Sequence, residues 1–120
     1  MSYKLRSICD RRTFAALKAT KFSARRGSVR SLFACSGEEI GPKIAFGVSK
    51  KVGNSVERNR IRRRIRAAIV SNLDQFAPGS YLIIPGKGAL NASFEDLKLD
   101  VCESMRRSSM KALGLESTNG

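Results

Sequence analysis

The sequence predicts a mixed α+β domain, a single sheet backed by helices, with elements in the order α-β-β-α-β-α. Three observations carry this. The chain has 120 residues, enough for one domain with a real core and too few for two. Stretches with apolar residues at helical spacing alternate with short apolar or alternating stretches. Across the middle, a strand, a long helix and another strand follow one another, which makes a βαβ unit beside a hairpin. The domain is assigned to residues 1–113, and 114–120 have the composition of a frayed tail.

Each element has a local reason. Asp10 is a good N-cap, and Phe14 and Leu17 stand three apart, so a short helix covers about 11–19. Residues 29–35 read as a strand, and Gly37 with Glu38 and Glu39 as a turn. Residues 43–49 alternate apolar and small side chains and form a second strand, antiparallel to the first across this short connection. Asn54 followed three residues later by Glu57 resembles a capping box. The helix it opens runs from 55 to about 75, with Ile61, Ile65, Ala68, Ile69 and Leu73 on one stripe, and Pro78-Gly79 ends it. Residues 80–85 are a short apolar strand, and Gly86-Lys87-Gly88 a loop. Ser93 caps a last helix that turns Phe94, Leu97, Val101, Met105 and Met110 inward. Phe33, Phe46 and Tyr81 are assigned to the core.

Hydrophobic residues make up 42% and charged residues 28% of the chain, a soluble, folded composition. The balance of charge is abnormal. There are 23 Lys and Arg against 10 Asp and Glu, a net charge of +13, where solubility alone asks for about 2–8. The excess sits in two segments. Residues 1–30 carry nine basic residues against Asp10, and residues 50–66 carry eight against Glu57. A fold that joins them makes one positive face for a polyanion.

Composition also excludes chemistry. His is absent, which removes Ser/His and Cys/His nucleophile pairs and His-ligated metals. Cys9, Cys35 and Cys102 are far apart and in no CxxC pair, so they read as reduced thiols rather than disulfides or a zinc site. The N-terminus lacks an apolar signal-peptide core, and no apolar run is long enough to span a membrane. The acidic residues are scattered, which leaves a stand-alone metal nuclease without ligands. A DNA-binding regulator would need helix-turn-helix spacing, which is missing.

Residues 58–66 read Arg-Asn-Arg-Ile-Arg-Arg-Arg-Ile-Arg. On a helical wheel Arg60 and Arg63 lie opposite Ile61 and Ile65, so the apolar stripe can seat on a sheet while guanidiniums face solvent. Solvated helix faces normally alternate sign, and this run does not. Its mutual repulsion suggests that phosphates complete the site, and Arg pairs bidentately with phosphate. A membrane-surface helix is disfavoured because the stripe lacks Trp and Phe at its centre. The loop of residues 49–54 leads into this helix, and a helix start beside Gly53 offers free amides to an anion.

Residues 47–66, Gly-Val-Ser-Lys-Lys-Val-Gly-Asn-Ser-Val-Glu-Arg-Asn-Arg-Ile-Arg-Arg-Arg-Ile-Arg, resemble the signature of the bacterial ribonuclease P protein subunit: a strand ending in V-S-K-K-x-G-N, then R-N-R. The resemblance extends in order over about residues 3–110. It implies an α/β sandwich with the left-handed βαβ crossover shared with a ribosomal-protein domain, although sequence physics alone favours the right hand. It implies a single RNA-binding domain that joins a catalytic RNA subunit, ribonuclease P RNA, in a cytoplasmic 1:1 ribonucleoprotein without membrane contact. That complex removes the 5′ leader of precursor tRNA as an endonuclease, using Mg²⁺ held mainly by the RNA. No catalytic residue and no stably bound metal is then expected in this chain. The resemblance puts Arg58, Asn59, Arg60, Arg62, Arg63, Arg64 and Arg66 on the RNA-binding helix, and Lys50, Lys51 and Asn54 on its leading loop. Phe14 falls on the aromatic of a leader-binding cleft, with Lys18, Phe22, Arg25 and Arg26 as further cleft candidates. The chain departs from the family pattern at Lys18, where many relatives carry a second aromatic, and Phe22 is the candidate substitute. The rival reading is a ribosomal or other structural RNA-binding protein with no processing role, which leaves the K-K-x-G-N and R-N-R pairing unexplained.

Overall fold

The computed structural model describes residues 5–8, 10–35 and 41–114. Cys9, the turn at Gly37 to Glu39 and the tail beyond Gly114 lie outside the described residues. The elements are β1 (Arg6–Ser7), α1 (Arg11–Ala19), β2 (Ser23–Arg26), β3 (Val29–Ala34), β4 (Pro42–Phe46), α2 (Ser55–Val70), a 3₁₀ turn (Leu73–Gln75), β5 (Gly79–Pro85), α3 (Gly88–Asn91) and α4 (Phe94–Ala112). They build one sheet in the order β1-β4-β5-β3-β2. Its β1, β4 and β5 run parallel, and β3 and β2 are antiparallel to their neighbours. The α+β class and the single sheet agree with expectation.

One expected pairing does not. Strands β3 and β4 are not a hairpin, because β5 lies between them. It pairs with β4 from Pro42↔Gly79 to Phe46↔Ile83 and with β3 from Val29↔Pro85 to Ala34↔Ser80. The return of the chain through α2 brings β5 beside β4 in parallel, and its other edge then satisfies six residues of β3. The hairpin partner of β3 is β2, which sequence reading missed. Its Ser-Ala-Arg-Arg has no β-branched or alternating apolar signal, and only Ala24 is buried. A two-residue loop, Gly27-Ser28, joins the strands. Gly27 has φ 55°, as the first position of a tight hairpin loop requires. The Asp100 carboxylate of α4 accepts from Ser28 N at 3.1 Å and Ser28 Oγ at 3.2 Å, and lies 3.7 Å from Arg26 Nε.

Alternation along the strands divides the core. On one face Val29, Phe33, Ile44, Tyr81 and Ile83 meet the stripe Ile61-Ile65-Ile69 of α2 and Leu97-Val101-Met105 of α4. Ser31 also points this way and shares a 2.8 Å hydrogen bond with Ser104, which itself donates to Val101 O at 3.0 Å. On the other face Leu17 of α1 covers Leu32, Ala45 and Leu82. Tyr81 lies edge-on to Phe33 with centroids 4.9 Å apart, and its hydroxyl donates to Ala77 O at 2.7 Å. Burial pushes that hydroxyl above the usual phenol range, so it stays neutral and structural.

Three helix caps follow the sequence: Asp10, Asn54 and Ser93 each accept from the backbone three residues on. The Asp10 carboxyl is held below its usual range by the hydrogen bonds from the Thr13 hydroxyl and amide. Helix α2 stops at Val70 rather than near 75. Ser71 Oγ (2.8 Å) and Asn72 Nδ2 (3.4 Å) donate to Ala68 O, so side chains take a terminal carbonyl well before Pro78. Phe94 is 41% exposed instead of inward, and Met110 is half-buried. Periodicity reports which face is apolar but not how far along the helix the core extends.

Gly79 has φ 148°, and a Cβ there would lie on the Phe33 ring. Gly79→Ala combines backbone strain with overpacking and is expected to cost about 2–4 kcal/mol of stability in urea unfolding. A change below about 0.5 kcal/mol, the scatter of ordinary surface substitutions, would show that Phe33 has room to move.

Candidate nucleic-acid interface

The loop before α2 is built to carry two lysines. Ser49 Oγ accepts from Lys51 N at 3.1 Å and Ser49 O from Val52 N at 3.0 Å. Val52 is buried in the main core while Lys50 and Lys51 are exposed. Then the capping box closes: Glu57 N donates to Asn54 Oδ1 at 2.8 Å and Asn54 N donates to Glu57 Oε1 at 2.9 Å. Asn54 therefore has a structural role as N-cap. Two amides at the helix start, Asn54 N and Glu57 N, are thus taken by the chain's own groups, and Glu57 brings a negative charge beside them. Gly53 is not left-handed. It is small because Glu57 folds back over it: a Cβ would meet Glu57 Oε1 at 2.8 Å and Glu57 Cβ at 3.0 Å.

Burial of Ile61, Ile65, Ala68 and Ile69 orients α2, and its arginines fall into two groups. Arg60 and Arg63 are exposed, opposite the stripe. The others are half-buried and most are braced. Arg62 Nη1 donates to Asn59 Oδ1 at 2.6 Å, Arg64 Nη2 to Ala92 O at 2.7 Å, and Arg66 Nη2 to Ser7 Oγ at 3.0 Å. Arg58 lies one turn before the stripe, nearly in line with it, and its Nε is enclosed without a hydrogen-bond partner. Among the described residues, no α2 arginine pairs with a carboxylate.

Part of the other basic segment, with Lys18, Arg25 and Arg30, lies on the sheet face under α1. Nine residues of helix span about 14 Å, too little to cover five strands. Leu17 is buried there, while Phe14, Ile8 and Ile84 are only half-buried at the margin. Lys18 Nζ stands over the Phe14 ring, 5.6 Å from its centroid, a cation–π distance. Of the cleft candidates, Phe14, Lys18 and Arg25 share this side. Phe22 does not. It packs against the main core on the opposite face, with Lys21 Nζ 5.8 Å from its ring centroid, so it does not replace the missing aromatic. Arg26 also belongs to the opposite face, beside Asp100. Both follow from β2 being a strand, in which successive residues alternate.

Sequence reading missed Arg30 on the α1 face. It follows Val29 and precedes Ser31, which both point to α4, and it sits directly opposite Arg25. The signal was available in the Gly27-Ser28 loop, because a two-residue hairpin fixes that register.

Among the described residues no three of His, Cys, Asp and Glu lie together as a metal-binding group. Cys35 is exposed. Cys102 is half-buried beside Asn72, and burial raises its thiol above the usual range. No helix among the described residues is long and apolar enough to cross a membrane.

The chain is similar to the ribonuclease P protein component of Bacillus cereus, at 39% identity over 77 residues that make up 63% of this chain and 67% of that protein. It is similar to the same component of Bacillus mycoides at 39% over 72 residues, 59% of this chain and 63% of that one. The aligned stretch thus spans about two thirds of these relatives' length. Among solved structures, the RNase P protein from Thermotoga maritima superposes with a TM-score of 0.74 at 21% identity, covering 85% of this chain and 96% of that one. A Staphylococcus aureus RNase P protein, a mutant with defective mRNA degradation activity, also gives 0.74, at 18% identity, covering 90% of this chain and 87% of the other. These structures share the fold. A family model described as ribonuclease P matches residues 3–109, nearly the whole of this sheet and its helices, and the chain belongs to that family.

Proposed function

We propose that this protein is the protein subunit of a ribonuclease P ribonucleoprotein. It binds the catalytic RNA subunit through α2 and the Lys50-Lys51 loop and holds the 5′ leader of precursor tRNA on the sheet face under α1. It thereby supports endonucleolytic removal of the leader. The observation that carries this reading is the run of α2 arginines, fixed by a buried apolar stripe and unpaired with any described carboxylate. Family membership selects this RNA partner over a ribosomal one.

The division of labour follows from what the chain offers. It has no His, and its described residues provide no metal-ligand cluster, so in this reading the cleavage chemistry and its Mg²⁺ belong to the RNA partner. The protein's own contribution is positioning and charge neutralisation. Guanidiniums on α2 meet phosphates bidentately. The Phe14 ring presents a stacking surface to a base, and Lys18 brings a cation where a second one would otherwise stand. The leader is then held more by charge than by stacking. A cytoplasmic 1:1 complex is the assembly this reading requires.

Three measurements test it. RNA-free protein is expected to leave precursor tRNA intact and to stimulate its cognate RNA at low Mg²⁺. Site-specific cleavage by the protein alone would overturn the assignment of the chemistry.

Arg60→Ala combined with Arg63→Ala should leave the melting temperature unchanged or slightly raised while weakening binding to the RNA subunit. For a wild-type interface that neutralises about six phosphates, affinity should fall on the order of 10³-fold between 50 and 200 mM salt, by the scaling for duplex DNA. A flat titration would remove α2 from the interface.

Phe14→Leu should keep affinity for the RNA subunit and weaken only substrates with a long leader, by at most about 1–3 kcal/mol, the worth of one stacked base. Equal losses on leaderless substrate, or a large fall in melting temperature, would assign Phe14 to the core alone.

A further inference from the structure

Arg25 of β2 and Arg30 of β3 are directly opposed cross-strand partners. Both are exposed on the α1 face, and neither has an ion-pair partner among the described residues. Cβ atoms at such positions are about 4.5–5.5 Å apart, and like charges there destabilise a sheet. Asp100, the carboxylate that contacts this hairpin among the described residues, lies on the opposite face and is engaged by Ser28 and Arg26. The repulsion is therefore not relieved within the described fold.

The pair has a definite place on the sheet. Arg30 is the partner of Ile84 in β5. Beyond Ile84 lies Gly47, whose amide donates to Ile83 O at 2.9 Å and where a Cβ would meet Ile84 Cγ1 at 3.4 Å. The row Arg25–Arg30–Ile84–Gly47 crosses four adjacent chain segments, about 4.8 Å apart. It has two guanidiniums at one end, a low apolar floor at its centre, and the Lys50-Lys51 loop just past Gly47. Phe14 flanks the floor from α1, packed in the same cluster as Ile84.

We propose that Arg25 and Arg30 form a two-guanidinium clamp for a single backbone phosphate of single-stranded RNA. The clamp sits at the β2 edge, the end of this transverse row remote from the Lys50-Lys51 loop. On the function proposed above, on which this inference rests, the ligand is the 5′ leader and the clamp engages its nucleotides beyond those that reach Phe14. Two planar forks on one phosphate account for the like-charge pair: the anion between them turns a destabilising contact into two charge-assisted ones.

The test uses holoenzyme reconstituted with its RNA subunit and precursor tRNA whose leader is shortened one nucleotide at a time. Wild type should gain affinity stepwise with leader length. Arg25→Gln, Arg30→Gln and the double variant should each lose the outermost step, roughly tenfold for a charged hydrogen-bonding pair. The double variant should lose little more than either single, because one phosphate is shared. The slope of log affinity against log salt should flatten by about 0.7 on long leaders only. The melting temperature should stay level or rise. A loss that persists on leaderless substrate, full retention of the outermost step, or a large drop in melting temperature overturns the clamp while leaving the leader reading intact. A wild type indifferent to leader length overturns the leader reading itself, and with it the clamp's ligand.

Discussion

Everything on the basic side of this molecule depends on the seating of Ile61, Ile65 and Ile69 against the sheet. Helix α2 carries six arginines between 58 and 66, five pairs of them at i,i+3 or i,i+4 spacing. At about 0.2–0.5 kcal/mol per like-charge pair, repulsion costs roughly 1–2.5 kcal/mol. Each fully buried isoleucine returns about 1.5–3 kcal/mol, so three of them exceed the repulsion by a wide margin. The same burial sets the rotation of the helix, and rotation decides which arginines face outward. The capping box adds to this by fixing the first turn, and Gly53 leaves room for Glu57 to complete it.

The two faces of the sheet are covered unequally, and the proposed binding surface results from that inequality. Helices α2 and α4 bury one face, with α4 brought close to β3 through small side chains such as Ser104. The nine-residue α1 is left to cover the other. It buries Leu17 over Leu32, Ala45 and Leu82 and leaves Phe14 and Ile84 at the margin. An incompletely covered apolar floor with cations around it suits a chain that has both bases and phosphates. Stability is supplied by the covered face, which leaves the open one free to carry unrelieved charge.

What the sequence revealed was local, and what it hid was not. Asp10, Asn54 and Ser93 were legible as caps because a cap's partner lies three residues away. The stripe from Ile61 to Ile69 was legible because helical spacing is periodic. The insertion of β5 between β3 and β4 was hidden, since strand pairing is decided by how the chain returns through α2. Arg26 and Phe22 were misplaced for a related reason: a strand unrecognised at residues 23–26 hides the alternation that sends neighbours to opposite faces. The family signature located α2, and the structure adds an N-cap role for Asn54, whose side-chain oxygen accepts from the Glu57 amide.

The braced and free arginines of α2 suggest how one helix can combine rigidity with adaptation. Ordering a long cationic side chain costs up to about 2 kcal/mol of rotamer freedom. Arg62, Arg64 and Arg66 meet part of that cost within the fold itself, through Asn59, Ala92 O and Ser7. Each retains most of its five N–H donors for a phosphate. Arg64 and Arg66 also tie α2 to the linker before α4 and to β1, so the helix and its guanidiniums are fixed to two other parts of the fold. Arg60 and Arg63 keep their freedom and can follow a phosphate whose position varies. Specific geometry should therefore come from the flanks of the helix and tolerance from its crest, because the donors that are already oriented discriminate between phosphate arrangements and the mobile ones do not.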